Sequence, residues 1–324
     1  MIKKIDYFTQ GLDPTTPDRD STGGGKPPEN RPGVRFFMEI VSDPKEMQAL
    51  AAQWRAAGRK IVLVPTMGYF HPGHLSLMEY GKRAGDRLVV SLFVNPAQFG
   101  PSEDLDRYPR DLERDAALAR QVGVDVLFTP EAAAMYPPGY QTYVEVEQLS
   151  QGLCGASRPG HFRGVATVVL KLFNLVQPHT AVFGEKDYQQ LAVIKRLAAD
   201  LDLPVEVVGR PIVREPDGLA MSSRNTYLNQ EERAAALSLF RSLLAARDLA
   251  VSGARNRDNI LEAVRRLIAS TPYTRIDYLA LVDPVTLQEV ETINEEARLL
   301  MAVWVGQTRL IDNTLLSESR LCCG

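Results

Sequence analysis

Between residues 43 and 212, amphipathic segments alternate with short apolar ones, and this alternation limits the fold more than any other property of the chain. "DPKEMQALAAQWRAAG", "HLSLMEYGKRAG", "RDLERDAALARQVG", "VATVVLKLFNLV" and "YQQLAVIKRLAADL" carry helical spacing. "KIVLV", "RLVVSLFV", "VDVLF", "TAVFG" and "VEVVG" read as buried strands. Strands separated by single helices need crossover connections, which predict a parallel sheet with helices on both faces. The expected fold is α/β: a doubly wound, Rossmann-like N-terminal domain over residues 37–212.

Beyond Ile212 the texture changes. "NQEERAAALSLFRSLLAARDLAV" and "RDNILEAVRRLIAS" are helical, and "IDYLALVDP" and "RLLMAVWVG" are strand candidates, so residues 213–324 are expected to form a smaller α+β domain. Residues 1–36 are read as a flexible tail, because 11–33 contain almost no large apolar side chains to offset the entropy of ordering. Met38 stands just before the first amphipathic segment, and a natural start there is the alternative.

A formal charge of −3, from 37 basic and 40 acidic residues, provides no broad positive field for a polyanion, so nucleic acid is not an expected partner. No apolar run nears the roughly 18 to 20 residues that span a bilayer, and the N-terminus lacks the order of a secretion signal. A cytoplasmic protein without membrane contact is expected. Cys154, Cys322 and Cys323 make no disulfide framework and show no zinc spacing, so they are read as reduced thiols.

Two of the four histidines fall in "VPTMGYFHPGHLSLM", residues 64–78. In open parallel sheets, ligands bind beyond the carboxyl ends of the strands, beside helix N-termini whose free N–H groups attract anions. His71 and His74, three apart at a helix start, project to one side, with Pro65 and Gly68 shaping the loop and Gly73 permitting close approach. Imidazole N–H groups there suit phosphate oxygens. Ordinary loop histidines, or ligands of a structural metal, are the alternatives, and no third ligand stands at metal spacing.

H-x-G-H after a strand resembles the nucleotidyltransferase superfamily, which pairs it with a basic-serine loop such as "LAMSSRN", residues 219–225. Between them lie "FVNPAQFGPSEDLDRYPRD", "GASRPGHFRGVATVVLKLFNLVQP" and "FGEKDYQQL", and "TRLIDN" follows. In this order, across residues 37–316, the segments closely resemble the pantoate–β-alanine ligase (pantothenate synthetase) family. Where that family commonly has Glu, this chain has Pro72, which suits the first turn of a helix.

The resemblance implies condensation of pantoate with β-alanine, with ATP as co-substrate, through a pantoyl adenylate that is not bound covalently to the enzyme. It implies catalytic roles for His71, His74, Lys186, Ser222, Ser223 and Arg224. It places Pro65, Thr66, Met67, Gly68, Gly184, Asp187, Val213 and Met221 around the nucleotide, and Asn95, Gln98, Gln190, Arg158 and His161 around pantoate, with Tyr108 nearby. Taken by themselves, Lys186 also fits a solvated loop, Asp187 a plain N-cap, Met221 simple packing, the two glutamines exposed polar positions and Ser222 to Arg224 a surface turn. Arg163 divides evenly between site and solvent, and His179 is read as structural. Mg2+ held by phosphate and water, a homodimer and a closing C-terminal domain are also implied. Shorter single-domain adenylyltransferases and a non-catalytic descendant are the rival readings; the pantoate segments oppose the first, and the intact histidines, Lys186 and serine pair oppose the second. Deleting residues 1–36 is expected to leave steady-state turnover unchanged, and a large loss would show that the tail belongs to the working structure.

Overall fold

The computed structural model describes residues 38–101 and 103–317. The expected tail and the vicinal Cys322 and Cys323 lie outside the described residues, while Cys154 is buried and free. In chain order the elements run β1 (Glu39–Val41), α1 (Pro44–Ala56), β2 (Ile61–Thr66), α2 (Pro72–Ala84), β3 (Arg87–Leu92), α3 (Leu112–Val122) and β4 (Val126–Phe128). Two single-turn helices follow, α4 (Ala132–Met135) and α5 (Cys154–Ser157), then α6 (His161–Val176), β5 (Thr180–Gly184), α7 (Tyr188–Asp200) and β6 (Glu206–Arg210). The remainder is α8 (Gln230–Val251), α9 (Arg257–Ala269), β7 (Thr274–Val282), β8 (Glu296–Val305) and β9 (Thr308–Ser317).

β1 to β6 form one six-stranded parallel sheet in the order β1-β4-β3-β2-β5-β6. Successive side chains of a strand point to opposite faces, and here both faces are covered. Ile61 and Leu63 of β2, with Ala181 and Phe183 of β5, join Met47 of α1 and the apolar faces of α6 and α7 in one core. Val62 and Val64, with Val182, join Leu77 and Met78 of α2 and Ala116 and Ala119 of α3 in the other. The doubly wound expectation is met, and every strand and helix predicted from periodicity is present. Sequence reading missed β1, which has three residues, and β9, whose polar Asp312 and Asn313 interrupt the apolar pattern.

The second sheet is antiparallel, in the order β7-β8-β9. Leu299, Met301, Val303 and Val305 of β8 pack against α8 and α9. Leu300 faces the opposite way, in a small cluster with Ala280 and Val282 that meets Leu153 and Tyr188 of the first layer. Burial on both faces explains why β8 reads as a continuous apolar run. Asn229 and Glu232 start α8 with reciprocal side-chain bonds to backbone N–H groups, of 2.9 and 3.0 Å.

One contact ties α6 to the chain beyond β3. A Cβ on Gly164 would lie 2.1 Å from the carbonyl oxygen of Ala97 and 2.7 Å from the amide nitrogen of Gln98. Only glycine lets the helix approach that closely, and the Gly164 carbonyl in turn accepts a bond from Asn95 Nδ2 at 3.1 Å. Gly164→Ala is therefore expected to cost about 1–3 kcal/mol of unfolding free energy in urea titration. An unchanged unfolding curve would show that α6 moves aside freely.

Candidate active site

The order of strands reverses between β2 and β5, which leaves a crevice at their carboxyl ends. The loop leaving β2 turns there through Gly68 and Tyr69, both at positive φ (85° and 52°). Asp115 of α3, 1% exposed, holds it: its two oxygens accept the N–H groups of Tyr69 at 2.6 Å and Phe70 at 2.7 Å. Arg114 donates to the Phe70 carbonyl at 2.8 Å. Burial pushes the Asp115 carboxyl upward, and the two N–H bonds and Arg114 work against that shift. Nothing in the resemblance pointed to Asp115; the available signal was an acidic residue on the apolar face it shares with Ala116 and Ala119.

His71 is the N-cap of α2, Pro72 is its first residue, and His74 stands one turn along with its ring centroid 4.0 Å from that of His71. A Cβ on Gly73 would sit 2.9 Å from the His71 ring, so glycine makes room for the imidazole against the helix start. His71 Nδ1 is buried without a hydrogen-bond partner among the described residues.

Across the reversal, β5 ends at Gly184 and a single 3₁₀ turn, Glu185–Asp187, carries Lys186. Its Nζ stands 3.7 Å from Asp187, a loose pairing. Asp187 occupies the N-cap position of α7 but makes no side-chain capping bond, so its carboxylate is left to the cavity.

The serine loop arrives from the other side. Residues 214 and 220 pair as a short antiparallel bridge, and Met221 N–H bonds the Val213 carbonyl at 3.0 Å. Ser222 caps a 3₁₀ turn, Ser223–Tyr227, by accepting the Arg224 N–H at 3.3 Å. Arg224, to which the resemblance gives a catalytic role, grips Asp104 through Nε and Nη2 at 2.9 and 2.8 Å. This two-pronged bond joins the serine loop to the segment after β3 and leaves Ser222 and Ser223 facing the cavity. Asp104 was another residue that sequence reading missed, since it lies within an acidic run.

Beneath lies Gln98, whose amide orientation is settled by its neighbours. Asn95 Oδ1 accepts from Ala97 N–H at 3.3 Å and from Tyr136 OH at 2.8 Å, and its Nδ2 donates to the Gly164 carbonyl. That same Nδ2 must then donate to Gln98 Oε1, at 3.1 Å, which turns Gln98 Nε2 toward the cavity beside Met67 Sδ. Gln98 is thereby a fixed donor. Tyr136, unremarked in the sequence, completes the chain.

Pro65, Thr66, Met67, His71, His74, Asn95, Gln98 and Tyr108 line a cavity of about 210 Å³ together with Gly184, Lys186, Asp187, Gln190, Val213, Met221, Ser222, Ser223 and Arg224. Gly68 is not among the lining residues; it shapes the loop. Arg158 and His161 line an adjoining cavity of about 470 Å³ that shares Lys186, Asp187, Gln190, Ser222 and Arg224. Arg158 is bound to Glu103 at 2.6 and 2.7 Å, and His161 Nδ1 lies 2.8 Å from the Gln98 carbonyl. Arg163 stacks 3.9 Å from the Tyr143 ring and lines neither cavity. His179 Nδ1 accepts the Ile61 N–H at 3.0 Å, a structural role. Among the described residues no three His, Cys, Asp or Glu side chains are grouped to hold a metal, and no helix is long and apolar enough to cross a membrane.

A histidine pair after one central strand, a lysine after the strand across the reversal, and a serine loop closing over both define an H-x-G-H nucleotidyltransferase. The profile of the family described as pantoate-beta-alanine ligase matches residues 39–315. The chain is 56% identical over 281 residues to the pantothenate synthetase of Syntrophus aciditrophicus, covering 87% of this chain and 98% of the relative. It is 58% identical to that of Syntrophotalea carbinolica, covering 87% and 99%. The crystal structure of pantothenate synthetase from Thermus thermophilus superposes with a TM-score of 0.82 at 50% identity, covering 86% and 99% of the two chains. That of the Francisella tularensis pantoate-beta-alanine ligase, complexed with beta-gamma ATP and beta-alanine, gives 0.72 at 33%, covering 86% and 98%. The chain belongs to the pantoate–β-alanine ligase family.

The electrostatics of the histidines yield a test. Burial, reinforced by His74 and Lys186, lowers His71 from 6.5 to about 2, and burial with Lys186 lowers His74 to about 4. Both folded values lie below the unfolded one, so the unfolded chain takes up protons first as pH falls. The associated stability is complete above pH 6.5 and declines as pH falls from there, to about pH 4 for the share of His74 and to about pH 2 for that of His71. In the free enzyme, the ring-proton NMR signals of His71 and His74 are expected not to titrate between pH 8 and 5; a midpoint near 6.5 for either would refute the neutral pair.

Proposed function

We propose that the cavity at the sheet reversal carries out both half-reactions of an AMP-forming pantoate–β-alanine ligase. In the first, a pantoate carboxylate oxygen attacks the α-phosphorus of ATP, pyrophosphate leaves, and pantoyl adenylate forms. In the second, the amine of β-alanine attacks the acyl carbon, AMP leaves with the bonding pair, and the amine loses a proton to give pantothenate. The observation that carries this reading is the convergence of His71, His74, Lys186, Ser222 and Ser223 on one cavity whose floor is the fixed donor Gln98.

Attack on phosphorus asks for alignment and for donors at oxygens whose charge grows, and it needs no covalent group from the protein. The imidazoles of His71 and His74, uncharged yet able to donate, suit the α- and β-phosphate oxygens, and Lys186 supplies positive charge there. Ser222 and Ser223 hold the triphosphate, and Arg224 acts through Asp104 by fastening their loop. Gln98 presents its N–H to a pantoate oxygen, and Gln190, which lines both cavities, reaches the same substrate. The adjoining cavity, with Arg158 and His161 in its wall, gives β-alanine a route to the acyl carbon.

Mg2+ accompanies the triphosphate and neutralises its charge. The donors present fit a cation bound mainly by phosphate and water, with Asp187 as the nearby carboxylate. Residues 213–317 form the part that closes over the intermediate and keeps water from it. A cytosolic homodimer completes the proposal.

With Mg2+ and ATP, pyrophosphate release is expected only when pantoate is present, and AMP and pantothenate only once β-alanine is added. Release with another acceptor but not pantoate would change the substrate, and silence with every acceptor would favour a binding protein. Lys186→Ala is expected to fold normally and to form adenylate about 10²–10³-fold more slowly; turnover near wild type would remove Lys186 from the chemistry.

A further inference from the structure

We propose that Asn313, on the last strand of the small sheet, is a positioning residue that sets Lys186 in place by gripping the backbone of its turn. Asn313 is 2% exposed. Its Nδ2 donates to two successive carbonyls, Glu185 at 2.9 Å and Lys186 at 3.1 Å, while its Oδ1 accepts from Arg298 Nη1 at 2.7 Å. Carbonyls only accept and a guanidinium only donates, so the amide has one allowed orientation. Arg298 also lies 3.7 Å from the ring of Tyr188, the residue that follows the turn. The Lys186 turn is therefore held at two carbonyls and at its exit, from a different sheet.

The preceding residue does the same for the other loop. Asp312, also 2% exposed, takes Arg214 in a two-pronged bond of 2.7 and 2.9 Å, and Arg214 reaches the Gly218 carbonyl at 3.1 Å. That hairpin leads directly into Met221 and Ser222. Neighbouring residues of a strand face opposite ways, so one dipeptide of β9 spans both loops. Lys186 itself has the loose contact with Asp187, which leaves the location of its ammonium to the backbone that Asn313 holds.

This inference rests on the role proposed for Lys186, and its test separates the two. Asn313→Asp keeps an acceptor for Arg298 but turns carboxylate oxygens toward the Glu185 and Lys186 carbonyls. The expected result is a kcat for pantoate-dependent pyrophosphate release reduced roughly 10- to 100-fold, the scale of a displaced catalytic group, with KM for pantoate changed less than about twofold. Combined with Lys186→Ala, the loss should be no greater than for Lys186→Ala alone, because a missing ammonium cannot be misplaced. A residue that merely supports the fold would give losses that multiply. Normal kcat in Asn313→Asp beside a slow Lys186→Ala, or multiplying losses, overturns the inference alone; a Lys186→Ala enzyme as fast as wild type overturns both readings. If Asn313→Asp does not fold, Asn313→Ser, which introduces no charge, is put through the same comparison, and the same outcomes support or overturn the inference.

Discussion

Between β2 and β5 the chain winds away in both directions, and neither crossover covers the gap. Parallel strands joined through helices connect with one hand, so from β2 the chain builds outward through β3 to β4, which pairs with the earlier edge strand β1, and from β5 it builds the other way to β6. The two strands at the reversal both end in turns that open on the same space. One delivers the histidine pair, the other the lysine. Other parts of the molecule stiffen those turns or bring a further group to them: Asp115 from the outer helix layer, Asn313 and Asp312 from the second sheet, and the serine loop fastened through Arg224 and Asp104.

The stiffening is done by buried polar groups, each with complementary partners. Such groups are costly when unpaired, and here they fix orientation as well as position. An amide side chain has two ends that differ chemically but hardly in shape. At both Asn95 and Asn313, an obligate donor and an obligate acceptor stand on opposite sides, which leaves one solution. The His71 imidazole differs: its Nδ1 is among the buried side-chain atoms that have no hydrogen-bond partner among the described residues, and it lines the cavity.

The fold was legible because strand burial on two faces and helix amphipathicity leave repeating signatures in sequence. Those signatures failed where polar residues go inside. β9 was missed because Asp312 and Asn313 are buried, and Asp115 drew no notice although it occupies a core position. The residues lining the cavity were named from motif resemblance. Their partners were not, because a hydrogen bond between residues 120 apart, such as Arg224 to Asp104, leaves no local trace. Arg224 shows the limit most clearly: the resemblance gave it a catalytic role, and its bond to Asp104 could be seen only in three dimensions. His161 and Arg158, grouped with pantoate by the resemblance, line the adjoining space, which shares Gln190 with the first cavity.

The location of the dipeptide in β9 also has a consequence in time. A ribosome releases the chain from its amino end, so both histidines, the lysine and the serine loop emerge well before residues 312 and 313. The first sheet has all of its strands by Arg210, and its loops then wait for the strand that anchors them. A nascent or nicked chain that stops short of Asp312 thus carries the histidines, the lysine and the serine loop and none of the bonds by which Asp312 and Asn313 hold two of the walls.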